Sequence, residues 1–593
     1  MKSAKSYNNF FTRGLLLALG VALGGAVPLL AAASPPGKAP DFGPNVAVFD
    51  PAMPAAAIQA QIDKVYSVQQ HNEFGPERNA FLFLPGEYKI DLPVGFYTEV
   101  VGLGASPDAV HITGNVHSDA SLPHNNATCT FWRAAEGFSV TPTGGAVNGT
   151  MQWAVSQAIP FRRMHVLGSM VLHQNDGWAS GGWMSDSLVD GNVGAGPQQQ
   201  WISRNSQWGS WTGSNWNMVF VGVPSPPSGE WPVPPFTKVA KTPVVREKPF
   251  LAVDAQGNYF VRVPQLRRDS AGVTWRAGST PGKSIPLDRF YIAHPGDTAS
   301  AINAQLAAGK NLLFTPGIYE LAEAIRVTRP GAVIIGLGFA TLRPVNGNAA
   351  LIANDKDGII VAGLLIDAGE ARSPVLVQIG PAQIGFQGSH VSHVKDPVSL
   401  HDLYFRVGGA AVGRAGANLE INSNDVIVDH TWIWRADHGS GVGWELNTSE
   451  NGLVVNGDNV TAYGLFVEHQ QQFQVLWNGN GGRTYFYQSE IPYDPPDQAS
   501  YASAPGVNGW ASYKVAANVT SHEAWGLGIY SVFRHPNVVL GHAIETPRAP
   551  GVRFHDMITV VLGNLGAIDN VIDDVGGAAI AKTHFTVKVT EFP

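Results

Sequence analysis

Two glutamates stand one repeat apart. The segment Gly457-Asp458-Asn459-Val460-Thr461-Ala462-Tyr463-Gly464-Leu465-Phe466-Val467-Glu468 aligns with Gly479-Asn480-Gly481-Gly482-Arg483-Thr484-Tyr485-Phe486-Tyr487-Gln488-Ser489-Glu490, and the Gly-to-Gly and Glu-to-Glu steps are both 22 residues. If the segments are strands on successive coils of a stack, the two carboxyl groups are neighbours, about 4.8 Å apart at the backbone. Like charges that close resist double ionisation, so one pKa rises. A carboxyl with a raised pKa is what a general acid needs near neutral pH. The competing reading is a pair of solvated surface acids; aromatic flanks in a charge-poor sequence argue against it.

Aromatic residues cluster around possible ligand contacts. Trp178, Trp183, Trp201, Trp208, Trp211 and Trp216 are six of the 16 tryptophans and fall within 39 residues, while Trp432, Trp434, Trp444 and Trp477 surround the acidic segments. Indole faces stack on the apolar faces of sugar rings, and nearby amides and acids bond the hydroxyls. Gln198, Gln199, Gln200, Asn205, Gln207, Asn215 and Asn217 supply amides. The expected substrate contacts are Trp201, Trp208, Trp211, Trp434, Asp437, His438, Trp444, Trp477 and Tyr487. The alternative is Trp filling the corners of a β architecture. His430 and His438 with Asp429 and Asp437 read as hydrogen-bonding residues along a strand and its turn, not as a metal site. No H-E-x-x-H pattern, acidic Ca-loop, G-x-S-x-G elbow or Walker loop is present. No metal and no cofactor is expected.

The elements that must hold these residues are visible as an internal repeat. Val48-Phe49-Asp50-Pro51, Ala57–Ile62, Phe81-Leu82-Phe83-Leu84-Pro85-Gly86-Glu87-Tyr88 and Val100-Val101-Gly102-Leu103-Gly104 form one series. Ile292-Ala293-His294-Pro295, Ala301–Leu306, Leu312-Leu313-Phe314-Thr315-Pro316-Gly317-Ile318-Tyr319 and Ile334-Ile335-Gly336-Leu337-Gly338 form the other. Each copy reads as a short amphipathic helix, a buried strand, a Pro-Gly-x-Tyr turn and another strand. Short β-branched strands follow at steps of roughly 20–25 residues, closed by Gly, Asn and Asp, as a parallel β-helix requires. The helix would cap the open end of each stack. The expected fold is all-β, with two tandem right-handed parallel β-helix domains of the pectate-lyase-like kind. The boundaries read as a signal peptide over 1–33, an N-terminal β-helix over 34–222, a Pro-rich linker with a small β segment over 223–289, and a C-terminal β-helix over 290–593.

Composition agrees. Charged residues are 14% of the 593, against about 25% in an average globular protein, and Gly numbers 67. This excludes a disordered chain and a long helical one. Lys2, Lys5 and Arg13 precede an apolar run ending at Ala31-Ala32-Ala33, a pattern that predicts export and cleavage, leaving an extracellular or periplasmic protein without stable membrane insertion. Without the leader, 35 basic residues face 46 acidic ones, a net charge of −11. That sign disfavours nucleic acid and favours a neutral partner. The single cysteine, Cys129, excludes an intramolecular disulfide and a Cys-based zinc site.

Taken in order, further landmarks resemble glycoside hydrolase family 55, secreted exo-β-1,3-glucanases built from tandem β-helices. They are Gln199-Gln200-Trp201-Ile202-Ser203-Arg204-Asn205, Trp216–Phe220, Thr242–Leu251, Trp432-Ile433-Trp434-Arg435-Ala436-Asp437-His438-Gly439, Tyr463–His469, Tyr485–Glu490 and Trp525–Ser531. The resemblance covers nearly the whole mature chain. It implies an inverting hydrolase acting on β-1,3-glucan or a related neutral polysaccharide; separately, a monomer is expected. Glu490 matches the general acid, Glu468 its partner in a proton relay, and Gln199 or Gln200 a holder of the attacking water. The family also uses a Ser with that water, where this chain reads Phe220-Val221-Gly222-Val223. A Gly-rich, Asp-Asp opening is replaced by Phe49–Pro54, which implies a divergent branch with another linkage preference. Adjacent-coil stacking suits the ~5–5.5 Å carboxyl separation of retaining enzymes better than the ~6.5–9.5 Å of inverting ones; making Glu468 a relay rather than a base resolves this. The alternatives are a polysaccharide lyase, disfavoured by net charge and the missing Ca cluster, and a non-catalytic carbohydrate-binding β-helix, which would not need the glutamate pair.

Overall fold

The computed structural model describes residues 40–145, 147–381 and 388–593. The expected leader lies outside them. The chain forms two tandem parallel β-helices. In the first, nine parallel strands run from Val46–Phe49 to Phe236–Val239, backed by an eight-stranded sheet that includes Gly86–Pro93 and Leu188–Gly194. In the second, a 13-stranded sheet containing Ile427–Arg435, Thr461–Glu468, Gly482–Glu490 and Ser521–Ser531 is backed by a 10-stranded one. The first parallel sheet runs past residue 222, because Phe236–Val239 pairs with Asn217–Val221 after the Pro-rich loop. Between the β-helices, two small antiparallel sheets are built from strands between Thr242–Val245 and Gly282–Pro286.

The repeated motifs do the same work in both halves. The helices Ala55–Gln69 and Ala299–Ala307 turn Ile58 and Ile62, or Ile302 and Leu306, onto the first coils. In the Pro-Gly-x-Tyr turns, Tyr88 donates its hydroxyl to the carbonyls of Phe49 and Leu84, and Tyr319 to those of Ala293 and Thr315. Gly86 and Gly317 have φ of 148° and 157°, and a Cβ there would meet Pro51 at 2.6 Å or Pro295 at 2.2 Å. A side chain at that position would clash with the preceding coil. At the far end of the second β-helix, Thr586–Phe592 pairs antiparallel with Gly551–Val561 and covers the last edge.

The large sheets of the two β-helices face each other. Along the second, the register skips one residue per coil, at Gly363, Asp402, His430, Gly464, Phe486, Gly526 and Asp556, all with positive φ between 48° and 74°. This stacked ladder of bulges resets side-chain alternation. Beyond it, Leu465, Val467, Tyr487 and Ser489 point into the β-helix core, while Phe466, Glu468, Gln488 and Glu490 point toward the first β-helix.

Much of the contact is a buried ion network. Arg162 binds Asp402 and Asp429, each at 2.8 Å; Arg204 binds Asp429 at 2.8 Å and Glu247 at 2.7 Å. Lys248 reaches Glu136 at 2.9 Å and Glu99 at 3.3 Å. His430 stacks on Trp183 with ring centroids 5.3 Å apart and bonds Asp402.

Candidate active site

Register fixes one row of side chains across the second β-helix: Asp367, Arg406, Trp434, Glu468, Glu490, Tyr530 and Val560 are successive partners on adjacent coils. At one end Arg406 closes on Asp367 at 2.8 Å. In the middle, Glu468 and Glu490 are direct neighbours, and among the described residues no Lys or Arg pairs with either.

Glu468 is 2% exposed and accepts from Trp432 Nε1 at 2.8 Å and Gln157 Nε2 at 2.6 Å. Gln157 comes from the first β-helix, 311 residues away. Burial, and then the charge of Glu490, push the Glu468 carboxyl well above the usual range despite those donors. Glu490 keeps 18% of its side chain exposed, so it is the member of the pair that reaches solvent. Burial raises it to about 7; the Tyr493 hydroxyl, which donates to its Oε2, and the His438 imidazolium work against the shift, and the nearby Asp437 adds to it. His469 Nε2 stands 3.8 Å from Glu490 and 4.0 Å from Asp437. Burial lowers this imidazole below its ordinary value, so it brings little positive charge.

Opposite the pair, the first β-helix offers amides and a hydroxyl. Gln200 donates to Ser180 Oγ at 3.2 Å, and the Ser180 amide donates to Ser156 Oγ, next to Gln157. A Cβ on Gly181 would sit 2.9 Å from the Phe466 ring and 3.6 Å from Gln200, so the backbones approach closely here. The side-chain carbonyls of Gln157, Gln200 and Gln488 are buried and accept no hydrogen bond among the described residues. They are free acceptors for water or sugar hydroxyls.

Aromatic rings flank the carboxyls on both sides. Trp434 stacks on Trp432 at 5.0 Å and on Phe74 at 6.2 Å, and lies 5.3 Å from His438. Beyond Glu490, Tyr530 stacks with Trp216 at 5.3 Å, and Trp216 with Trp178 at 6.4 Å. Exposure rises outward along this line, from 2% at Tyr530 to 50% at Trp178.

Of the residues expected from sequence, the structure brings Glu468, Glu490, Gln200, Trp434, Asp437 and His438 together. Trp444 stands at the rim, under the guanidinium of Arg435, which binds Asp494. Gln199 is half-buried with its backbone spent on Ala179, Trp216 and Asn217. Five others require correction. Trp201 points into the first β-helix core, with Nε1 bonded to Ser203, because 201 and 200 lie on opposite faces of one strand. Trp208 and Trp211 pack on Phe220, on the sheet remote from the cleft. Trp477 fills the second core from the back sheet, and Tyr487 faces that core and bonds Ser512. Sequence reasoning missed Gln157, Ser180, Gln488, Tyr493 and Tyr530. Tyr493 lies three residues beyond Glu490, but Gln157 carries no local signal.

Comparison with known proteins agrees with this architecture. The model of the LAM55 pectate lyase-like domain matches residues 290–490. An exo-beta-1,3-glucanase of Streptomyces sp. (strain SirexAA-E / ActE) is 47% identical over 556 residues, 93% of this chain and 90% of that protein. The structure of sacteLam55A from Streptomyces sp. SirexAA-E superposes with a TM-score of 0.90, covering 93% of this chain and 99% of that one at 47% identity. A glutamate-to-alanine variant of that enzyme in complex with glucose matches equally, with a TM-score of 0.90, 46% identity and coverage of 95% and 100%. By this similarity along nearly its full length, the chain belongs to glycoside hydrolase family 55, the Lam55-type β-helix enzymes.

Proposed function

We propose that this chain is a secreted, monomeric exo-β-1,3-glucanase that inverts the anomeric centre, with Glu490 as general acid. The observation that carries the reading is the Glu490 carboxyl: largely buried with no Lys or Arg against it among the described residues, raised to about 7, yet open to the cleft. In its acid form it protonates the glycosidic oxygen as the bond breaks. The leaving glucan lies along Tyr530, Trp216 and Trp178, which lead to solvent. The terminal sugar sits toward Trp434, His438 and Asp437, where Phe74 and Glu73 wall the cleft. That one-ended gradient of exposure supports exo action.

Water attacks from the opposite face, held by the free carbonyls of Gln157 and Gln200 and by Ser180, which stands in for the serine absent from Phe220–Val223. Glu468, stacked beside Glu490 on the adjacent coil and accepting from Gln157, relays a proton rather than acting as the base. Export rests on the charged start and small-residue exit of residues 1–33.

The test is proton NMR of the products of laminarin. The reading expects glucose as the first product, appearing as the α-anomer, and Glu490→Gln slower by about 10²–10⁴-fold. First appearance of β-glucose would overturn inversion, oligosaccharides as the first products would overturn exo action, and an unaffected Glu490→Gln would overturn the acid assignment.

A further inference from the structure

An ion pair outside the catalytic row ends on the residue next to Tyr493. Arg435 closes the strand Ile427–Arg435 and is 1% exposed. Its guanidinium grips the Asp494 carboxylate twice, Nη1 to Oδ1 at 2.8 Å and Nη2 to Oδ2 at 2.9 Å. The same head donates to the backbone carbonyls of Asn447 at 2.8 Å, Gly443 at 3.2 Å and His469 at 3.4 Å. One buried side chain therefore ties the 443–447 loop and the residue after Glu468 to the turn at 491–494. Within that turn Tyr493 is held at three points. Its hydroxyl donates to Glu490 Oε2, its ring meets the His469 ring at 4.4 Å, and its carbonyl accepts from the Arg534 amide at 3.1 Å.

We propose that Arg435 and Asp494 are positioning residues: their ion pair locks the turn after Gly482–Glu490 and so holds the Tyr493 hydroxyl on the Glu490 carboxyl. Its bearing on catalysis rests on reading Glu490 as the acid. A bidentate Arg–carboxylate pair fixes direction as well as distance. Asp494 is one peptide unit from Tyr493, so releasing Asp494 lets the phenol swing away from Glu490. Among the described residues neither Arg435 nor Asp494 bonds Glu468 or Glu490, so the pair reaches the acid through Tyr493. The other groups facing Glu490 are Glu468 and Tyr530 on the adjacent coils, with Asp437, His438 and His469. Removing the ion pair leaves all of these in place.

The test compares Asp494→Ala and Arg435→Gln in the full chain, each alone and combined with Tyr493→Phe. Ionisation of Glu490 is read in two ways. One is the carbon-13 NMR titration of the glutamate carboxyls, with the signal assigned by its loss in Glu490→Gln. The other is the alkaline limb of the kcat–pH profile on laminarin. The proposal expects both variants to move the ionisation upward by about one pH unit, as loss of one hydrogen bond to a carboxylate should. In the Tyr493→Phe background neither should move it further. Charge alone predicts a different pattern: deleting Asp494 bares a cation and would move the ionisation down, while deleting Arg435 would move it up. Opposite shifts from the two variants, no shift in either, or a shift that persists in Tyr493→Phe would overturn the proposal, whatever happens to Tm. Asp494→Ala, at the partly exposed end of the pair, carries the test by itself where Arg435→Gln does not fold. A shift seen by NMR but not in the kcat–pH limb would support the positioning role and count against Glu490 as the acid.

Discussion

Asp429 and Glu490 point from the same sheet into the same interface, two coils apart, and both are sealed from bulk water except at the edge of Glu490. Their ionisation goes in opposite directions. Burial acts on both to disfavour charge, but Arg204 and Arg162, with His401, hold Asp429 far below the usual carboxylate range. Glu490 has a tyrosine hydroxyl and another carboxyl in place of guanidinium groups, and is raised to about 7. Partner identity, not depth, separates a structural carboxylate from an acid catalyst.

The sharpest break of that contrast is a pair of charge deletions. Glu490→Gln should lose about 10²–10⁴-fold in kcat on laminarin with Tm unchanged or slightly raised, since it removes an acid that gains nothing by ionising. Asp429→Asn should do the reverse, leaving two guanidinium groups short of their partner at a cost of about 3–5 kcal/mol in denaturant unfolding.

Glu468→Gln comes next. It should lower kcat by about tenfold or more through loss of the relay. Burial and the charge of Glu490 keep Glu468 protonated while Glu490 ionises, so a neutral Gln in its place should leave the alkaline limb of the kcat–pH profile near 7. A limb that stayed in place with full activity would make Glu468 a spectator.

The smallest effect is expected from Tyr493→Phe. The tyrosine hydroxyl favours the carboxylate form of Glu490, so its removal should shift the alkaline limb to higher pH while the plateau rate is kept. A shift in the other direction would mean that Tyr493 accepts rather than donates.

How far the site was legible depended on whether a residue's neighbours were local. The repeated helix, strand and Pro-Gly-x-Tyr turn were readable because each coil must close the same way. The Glu468–Glu490 juxtaposition was readable because 22 residues is one coil. Facing was less legible. Tyr487 stands an odd number of residues before Glu490 and so lies on the opposite face, which alternation alone reveals. Trp201 and Trp477 offered no such reference, and large aromatics serve a β-helix core as well as a sugar platform. Gln157 and Ser180 were invisible, because they meet the catalytic row only through the packing of one β-helix on the other.

The most direct test of the central claim is the pH dependence of kcat on laminarin. A group raised to about 7 in the folded enzyme works while protonated. Activity should therefore be full below about 6 and fall as pH rises through 7, and the folded state should lose stability as pH rises from the ordinary carboxyl value of 4.5 to about 7. The account predicts a single alkaline limb near 7 that disappears in Glu490→Gln. A limb in the ordinary carboxylate range, or one near 7 that survives in Glu490→Gln, would contradict it.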